Sequence, residues 1–161
     1  MKYTFVFPGQ GSQFVGMGKE LADNFQSARD VFQEVNDAVS QDVFKLMVEG
    51  PEHELTLTAN AQPALMANSM AVVRVLEKDF GIKLKDKASF VAGHSLGEYS
   101  AACAAGVFSL RDTAKLLRTR GEAMQQAVPV GVGGMAAVIG VSYQDVQALA
   151  EACADDNNLC V

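Results

Sequence analysis

The segment FVAGHSLGEYSA, residues 90–101, places a serine where nucleophilic chemistry is possible. A glycine stands two residues before Ser95, and another stands two residues after it. This G-x-S-x-G spacing suits a nucleophilic serine on a sharp turn between a strand and a helix, because glycine lets the turn lie tightly against a sheet. In the alternative interpretation, Ser95 only caps the helix that follows.

A serine that attacks a carbonyl group also needs N–H donors for the oxyanion that forms. The backbone N–H of Leu96, directly after the nucleophile, provides one donor. The loop PGQGSQ, residues 8–13, is predicted to provide the second, because Gly9 and Gly11 permit close backbone approach around Gln10. The alternative for this loop is an ordinary glycine turn, since its spacing matches neither a phosphate-binding loop nor a dinucleotide fingerprint.

The chain has only two histidines, and neither is a good direct base for Ser95. The side chain of His94, next to the serine in sequence, is expected to point elsewhere and to line a pocket. His53 stands between two glutamates at a helix start and is predicted to be solvated. Gln62 precedes Pro63 at the mouth of another predicted helix, where it either caps the helix or contacts a substrate.

Arg120 is a cation that does not follow the other charges of its predicted helix, which begins at Ser109. At about 100° per residue, one arc of that helix is apolar and carries Leu110, Ala114, Leu117, Gly121 and Met124. The opposite arc is charged and carries Arg111, Lys115, Arg118 and Glu122. Arg120 falls between Thr113 and Leu116, toward the core, where a cation requires an anionic partner. That partner is either a protein carboxylate or a substrate carboxylate gripped by two parallel guanidinium donors.

The overall composition limits the class of protein. A chain of 161 residues that is 49% hydrophobic is long enough for one domain with a hydrophobic core. Its 13 Lys and Arg against 19 Asp and Glu give a net charge of -6, and the basic residues are scattered, which disfavours a nucleic-acid partner. The three cysteines lack metal-ligand spacing, and no segment resembles a signal peptide or a membrane span. We therefore expect a cytoplasmic protein with no metal site and no membrane partner.

Hydrophobic periodicity predicts an α/β fold with a parallel sheet. Strands are predicted at 3–7, 89–92, 135–139 and 159–161. Helices are predicted at 17–24, 28–39, 42–49, 97–105, 109–128 and 142–154, together with a long one that has Pro63 in its first turn and ends at Gly81. Strand 3–7 is apolar on both alternations, so we expect it to be buried on both faces. Serine caps are predicted at Ser109 and Ser142.

Several motifs together resemble one known family: FVFPGQGSQFVGMG, QPAL, GHSLGEYSA, RG with MQQAVP, and GGMAAVIG. Over essentially the whole chain they resemble the malonyl-CoA:acyl carrier protein transacylases of fatty-acid synthesis, which are relatives of polyketide-synthase acyltransferase domains. The resemblance implies that Ser95 attacks the malonyl thioester and carries the malonyl group until the phosphopantetheine thiol of acyl carrier protein removes it. It further implies that the amides of Gln10 and Leu96 form the oxyanion hole and that Arg120 binds the free malonyl carboxylate.

The same resemblance implies that Gln62 and His94 line the substrate pocket, and that coenzyme A enters only as the thioester substrate, with no cofactor. Residues 1–129 would be the N-terminal part of a large α/β-hydrolase-like subdomain, and residues 130–161 the beginning of a small ferredoxin-like one. The family's histidine base comes from a later part of a longer chain and has no counterpart here. We therefore expect this sequence to be the N-terminal portion of the enzyme and to turn over poorly by itself.

Two other functions fit parts of the pattern. A serine esterase or thioesterase of α/β-hydrolase type shares G-x-S-x-G but uses water as the acceptor, and it normally sets aside no cation for a substrate carboxylate. A fragment that only binds carrier protein, without chemistry, is the third possibility. Arg120 distinguishes a malonyl transacylase from an esterase or thioesterase. A buried guanidinium left unpaired is unfavourable, so its presence favours an acyl group that carries a carboxylate over an acetyl group.

Overall fold

The computed structural model of the protein describes residues 2–129, 131–133 and 138–154. Two strands and nine helices occur among these residues. In chain order they are β1 (Tyr3–Phe7), α1 (Lys19–Asn24), α2 (Gln26–Val39), α3 (Val43–Glu49), α4 (Glu52–Thr56), α5 (Thr58–Lys78), α6 (Leu84–Lys87), β2 (Ala88–Gly93), α7 (Leu96–Ala104), α8 (Leu110–Ala127) and α9 (Tyr143–Cys153). The chain divides into two compact units, Met1–Pro129 and Val130–Val161.

β1 and β2 form a two-stranded parallel sheet, in which Phe5 lies opposite Val91 and Phe7 lies opposite Gly93. Phe7 is buried in the core, whereas Val6 and Phe90 are each 72% exposed. Successive side chains of a strand point to opposite faces, and α7 packs against this sheet. The prediction that strand 3–7 is buried on both faces is wrong for the described residues, because none of their elements covers the face that carries Val6 and Phe90.

α5 is the central helix of the first unit and packs against α2, α7 and α8. Residues 61–67 of α5 are all buried, as expected of a helix with neighbours on most sides. α2 contributes an apolar face with helical spacing, made of Ala28, Val31, Phe32, Val35 and Ala38. The ring of Phe32 stacks on that of Phe44 in α3, with 4.3 Å between their centroids. The helices around α5 therefore share one hydrophobic core, which also receives Phe7 from β1.

The predicted serine caps are confirmed. Ser109 Oγ accepts a hydrogen bond from the N–H of Asp112 at 3.0 Å, and α8 begins directly after Ser109. Ser142 Oγ accepts from the N–H of Asp145 at 3.2 Å, and α9 follows in the same way. Each cap satisfies an N–H group that has no acceptor within its own helix.

The predicted position of Pro63 in the first turn of its helix is wrong. α5 begins at Thr58, and Pro63 lies inside it. The N–H of Ala61 donates to the carbonyl of Leu57 at 2.8 Å, so a complete turn precedes the proline. Side chains from other parts of the chain bind Thr58, Asn60 and Gln62 before the proline, and such long-range contacts cannot be deduced from a local helix pattern.

Several sequence predictions concern the end of the chain. Val138 and Ile139 have no regular secondary structure, and residues 135–137 of that predicted strand lie outside the described residues. The predicted strand at 159–161 also lies outside them. The helix start predicted around His53 corresponds to α4, whereas the short helix α6 was not predicted. None of the helices in the described ranges is both long and apolar enough to cross a bilayer.

The environments of Cys103 and Cys153 make the packing of α7 testable. Cys103 is buried in α7, and burial raises the pKa of its thiol, an effect that a hydrogen bond with Thr113 only partly offsets. Cys153, at the end of α9, is exposed. Because the thiolate is the reactive form, we expect iodoacetamide to alkylate Cys153 at least about tenfold faster than Cys103 in the native protein. Peptide mass spectrometry measures both rates, and urea should equalise them. Equal rates without urea would contradict this packing.

Candidate active site

The loops that follow β1 and β2 lie side by side. The N–H of His94 donates to the carbonyl of Phe7 at 3.2 Å, which continues the pairing of the two strands. A Cβ atom placed on Gly9 would lie 2.4 Å from Nδ1 of His94 and 2.9 Å from its carbonyl oxygen. The predicted oxyanion loop is therefore in contact with the serine turn, as expected where the carboxyl ends of parallel strands meet.

Ser95 has a backbone conformation that serine rarely adopts. Its φ of 54° and ψ of -112° lie on the positive-φ side of the map, where a Cβ atom is disfavoured. Ser95 occupies the N-cap position of α7, but its side chain makes no cap hydrogen bond. Ser109 and Ser142, with φ of -69° and -71°, do cap their helices. The interpretation of Ser95 as a capping serine is therefore wrong.

Gly93 and Gly97 make this turn possible. A Cβ atom on Gly93 would lie 1.9 Å from the carbonyl carbon and oxygen of Gly97. A Cβ atom on Gly97 would in turn lie 2.4 Å from the carbonyl oxygen of Phe7 and 2.8 Å from that of Pro8. Both positions accept only glycine, because the obstructing atoms belong to the backbone. The two glycines of G-x-S-x-G thus allow the end of β2, the start of α7 and the end of β1 to be in contact.

The guanidinium of Arg120 lies beside Ser95. Its Nη2 donates to Ser95 Oγ at 3.0 Å, and its Nη1 donates to Gln62 Oε1 at 2.7 Å. Its Cζ lies 5.8 Å from the centroid of the Tyr99 ring, within the range of a cation–π interaction. Arg120 is half-buried and forms no ion pair with a carboxylate among the described residues. The structure thus brings together Ser95, Gln62 and Arg120, which come from three different helical regions.

Gln62 lies inside α5 rather than at its mouth. The residue is 0% exposed, and its side chain spans α5 and α8. Its Oε1 accepts from Arg120, and its Nε2 donates to Sδ of Met124 at 3.3 Å. Since a buried amide must find partners, these two contacts explain how a glutamine is accommodated in the core. A capping role for Gln62 is wrong, because both partners belong to α8.

The two backbone amides predicted for the oxyanion hole lie in the adjacent loops. Leu96 is the first residue of α7, so its N–H has no acceptor within the helix. The N–H of Gln10 has no backbone acceptor in the described part of the chain. The side chain of Gln10 is held separately, because its Nε2 donates to Thr58 Oγ1 in α5 at 3.2 Å.

Both histidines lie in exposed positions, His53 in α4 and His94 directly after β2. Exposure of His53 agrees with its prediction. The ring of His94 approaches Gly9 closely, so it borders the loop that carries Gln10. Its position at the edge of the two loops is compatible with a role in lining a pocket.

Sequence reasoning missed Tyr99 and misplaced Arg118. Tyr99 follows Ser95 by four residues, so the spacing of one helical turn could have placed both on one face of α7. Arg118 was assigned to the solvent-facing arc of α8, but it is half-buried, and burial lowers the pKa of its guanidinium while Glu122 opposes this shift. The assignment is wrong because α8 packs against α5 on that flank as well, where Arg118 Nη1 donates to Asn60 Oδ1 at 2.9 Å.

These features agree with the comparison with known families. A sequence model of the acyl transferase domain family matches residues 4–159. The chain therefore belongs to the acyl transferase domain family. Its fold is the α/β fold of the solved acyltransferases described next, and within the described residues it is mostly helical with a small parallel sheet.

Comparison with individual proteins gives a narrower set of relatives than the family match. The malonyl CoA-acyl carrier protein transacylase of Bacillus subtilis (strain 168) is 45% identical over 158 residues, which cover 98% of this chain and 48% of that protein. The crystal structure of an acyl-carrier-protein-S-malonyltransferase from Bartonella henselae has 60% identity and a TM-score of 0.87, covering 94% of this chain and 48% of that one. A malonyl-transacylase solved in complex with its holo type II PKS acyl-carrier protein has 40% identity and a TM-score of 0.83, with 94% and 48% covered. The chain thus spans about half the length of the curated relatives it matches.

Substitution of Gly93 tests the geometry of the serine turn. Gly93→Ala forces a Cβ atom onto the backbone of Gly97, so we expect the free energy of unfolding to fall by about 3 kcal/mol or more. Gly106→Ala is the matched control, because Gly106 has a φ of +80° but open space around it. The control should cost only about 1–2 kcal/mol, the strain of a left-handed alanine. Urea unfolding measures the free energy of unfolding of both variants. Equal decreases would show that the close contact at Gly93 does not contribute to stability.

Proposed function

We propose that the protein transfers a malonyl group from malonyl-CoA to the phosphopantetheine thiol of acyl carrier protein, through a malonyl ester on Ser95. The observation that carries this proposal is the guanidinium of Arg120, which donates to neutral oxygens of Gln62 and Ser95 and pairs with no described carboxylate. A cation kept without a counter-charge beside a nucleophile suits an acyl group that carries a free carboxylate. The names of the relatives describe malonyl transfer for those proteins.

Ser95 is the proposed nucleophile. Its Oγ attacks the thioester carbonyl, a C–O bond forms, the C–S bond breaks, and coenzyme A leaves as a thiol with the proton that the serine lost. In the second half, the phosphopantetheine thiol attacks the malonyl ester and the serine recovers its proton. The strained turn supports this role because it presents the hydroxyl in front of α7 rather than as a cap of that helix.

The N–H groups of Gln10 and Leu96 are the proposed oxyanion hole. Negative charge develops on the carbonyl oxygen in both halves of the reaction, and fixed N–H donors stabilise it without reorganisation. The support is the contact between the two loops, which Gly9 and Gly97 allow. The bond from the Gln10 side chain to Thr58 ties the first loop to α5 and restrains its position.

Arg120 is the proposed ligand of the malonyl carboxylate. A carboxylate that enters the site offers two oxygens to the planar guanidinium and competes with the neutral oxygens that Arg120 contacts in the free protein. Binding through Nη2 would release Ser95 Oγ for attack. Gln62 and His94 are proposed to line the same pocket, and neither His53 nor His94 is proposed as the base that accepts the serine proton.

The proposal also assigns each of the two compact units to a type of subdomain. We assign the unit Met1–Pro129 to the N-terminal part of a large α/β-hydrolase-like subdomain, supported by the strand–turn–helix around Ser95 and the parallel pairing of its strand. We assign the unit Val130–Val161 to the beginning of a small ferredoxin-like subdomain, supported by a family match that runs through both units.

The proposed location is the cytoplasm, where thiols stay reduced. The proposed partner is acyl carrier protein, as in the solved complex of a relative.

The function is tested by acyl loading of the natural full-length protein. Intact mass spectrometry after brief exposure to malonyl-CoA should show one added malonyl group, which Ser95→Ala abolishes, and exposure to acetyl-CoA in a separate sample measures acetyl loading. Arg120→Met should slow malonyl loading by about 100-fold, the equivalent of about 3 kcal/mol of charge-assisted hydrogen bonding, and leave acetyl loading within about threefold. Arg111→Met is the matched control, since Arg111 is an exposed cation of the same helix.

Two outcomes would contradict the proposal. Equal losses of malonyl and acetyl loading in Arg120→Met would favour an esterase or thioesterase without carboxylate selection. Retention of the malonyl adduct in Ser95→Ala would place the nucleophile elsewhere.

A further inference from the structure

Arg118 and Arg120 make parallel contacts with the first turns of α5. Arg118 Nη1 donates to Asn60 Oδ1 at 2.9 Å, and Arg120 Nη1 donates to Gln62 Oε1 at 2.7 Å. Both pairs join a guanidinium of α8 to an amide oxygen of α5, with the same spacing of two residues on each helix. Directly after Arg120, Gly121 packs so closely on α5 that a Cβ atom there would lie 2.7 Å from the carbonyl oxygen of Thr58.

The contact of Arg118 is difficult to explain by stability alone. The guanidinium is half-buried, its Nε lies away from solvent without a hydrogen-bond partner among the described residues, and it forms no ion pair with a described carboxylate. Burying such a group is unfavourable, and an apolar side chain of similar length would generally serve stability as well or better. The guanidinium instead fixes the relative positions of two acceptors, because its N–H donors lie in one plane and have fixed directions.

The acceptors of Arg118 are themselves held in place. Asn60 Nδ2 donates to the carbonyl of Glu54 in α4 at 2.9 Å, and Gln41 Nε2 donates to Asn60 Oδ1 at 3.3 Å. Arg118 Nη2 donates to Gln41 Oε1 at 2.5 Å. Gln41 lies between α2 and α3, so this polar cluster connects α8 to three other parts of the first unit. An α8 that shifted along its axis would break several of these bonds together.

We propose that Arg118, through Asn60 and Gln41, is a positioning residue that sets the register of α8 and thereby holds the Arg120 guanidinium beside Ser95. This inference rests on the proposed function, since it concerns the placement of the group that selects the carboxylate. A displacement of a substrate-binding group by about 1 Å is enough to cost up to about 100-fold in rate. Arg118 touches no reacting atom, so its effect is on malonyl selection rather than on the chemistry of Ser95.

The test measures malonyl and acetyl loading of the natural full-length protein carrying Arg118→Met. We expect KM for malonyl-CoA to rise about tenfold, with kcat and acetyl loading each unchanged within about twofold. Arg118→Lys, which keeps a cationic donor for Asn60, should recover part of the malonyl KM. Lys115→Met is the matched control because Lys115 is an exposed cation of α8, and it should behave as wild type. A structural role alone would not change the ratio of malonyl to acetyl loading.

A second variant keeps the test decisive if Arg118→Met does not fold. Asn60→Ala removes the acceptor instead of the cation and should raise the malonyl KM in the same way. In the double variant the two effects should not add, because both remove one interaction. Equal changes in malonyl and acetyl loading, or no change in either variant, would overturn the inference. Arg120→Met is measured in parallel. If it loses malonyl loading selectively, the proposed function is supported. An absence of selective change in the Arg118 and Asn60 variants would then contradict only the positioning role of Arg118.

Discussion

The fork of hydrogen bonds from Arg120 to Ser95 and Gln62 is the interaction on which the site depends. It joins α8 to the serine turn and to α5, while the ring of Tyr99 lies against the same guanidinium. Because a guanidinium is planar and its donors have fixed directions, its partners cannot move independently of it. The positions of Ser95, the proposed nucleophile, and of the Arg120 guanidinium are therefore fixed together.

Close backbone packing makes this arrangement possible. At the ends of the strands, Gly93 and Gly97 allow β1, β2 and α7 to meet without intervening side chains. At the interface of α5 and α8, Gly121 allows the two helices to approach so closely that a Cβ atom there would lie 2.7 Å from the Cα atom of Ala59. Such contacts are short and involve main-chain atoms, which cannot rotate away as side chains do. The polar groups of the site are consequently supported by a rigid frame rather than by flexible loops.

The features that depend on local pattern were predictable from sequence. The strand–turn–helix around Ser95 follows from glycine spacing, and the inward position of Arg120 follows from the helical arc of α8. The features that depend on contacts between distant residues were not predictable. The early start of α5 before Pro63 and the half-buried position of Arg118 both follow from bonds that join residues far apart in the chain. For the same reason the burial of Gln62 was missed, since its partners belong to another helix.

The pairing of β1 with β2 also has a consequence for folding. Phe7 must find Gly93 across a long stretch of chain that contains six helices before the serine turn has its support. Pairings of this kind form late, because the entropy of closing a long loop is lost before the contact stabilises the chain. Until β1 and β2 pair, the strained turn at Ser95 lacks the support of the Phe7 and Pro8 carbonyls, against which Gly97 packs. The proposed nucleophile is thus expected to become reactive only after folding is complete, so we expect chains that are still unfolded to take up no acyl group.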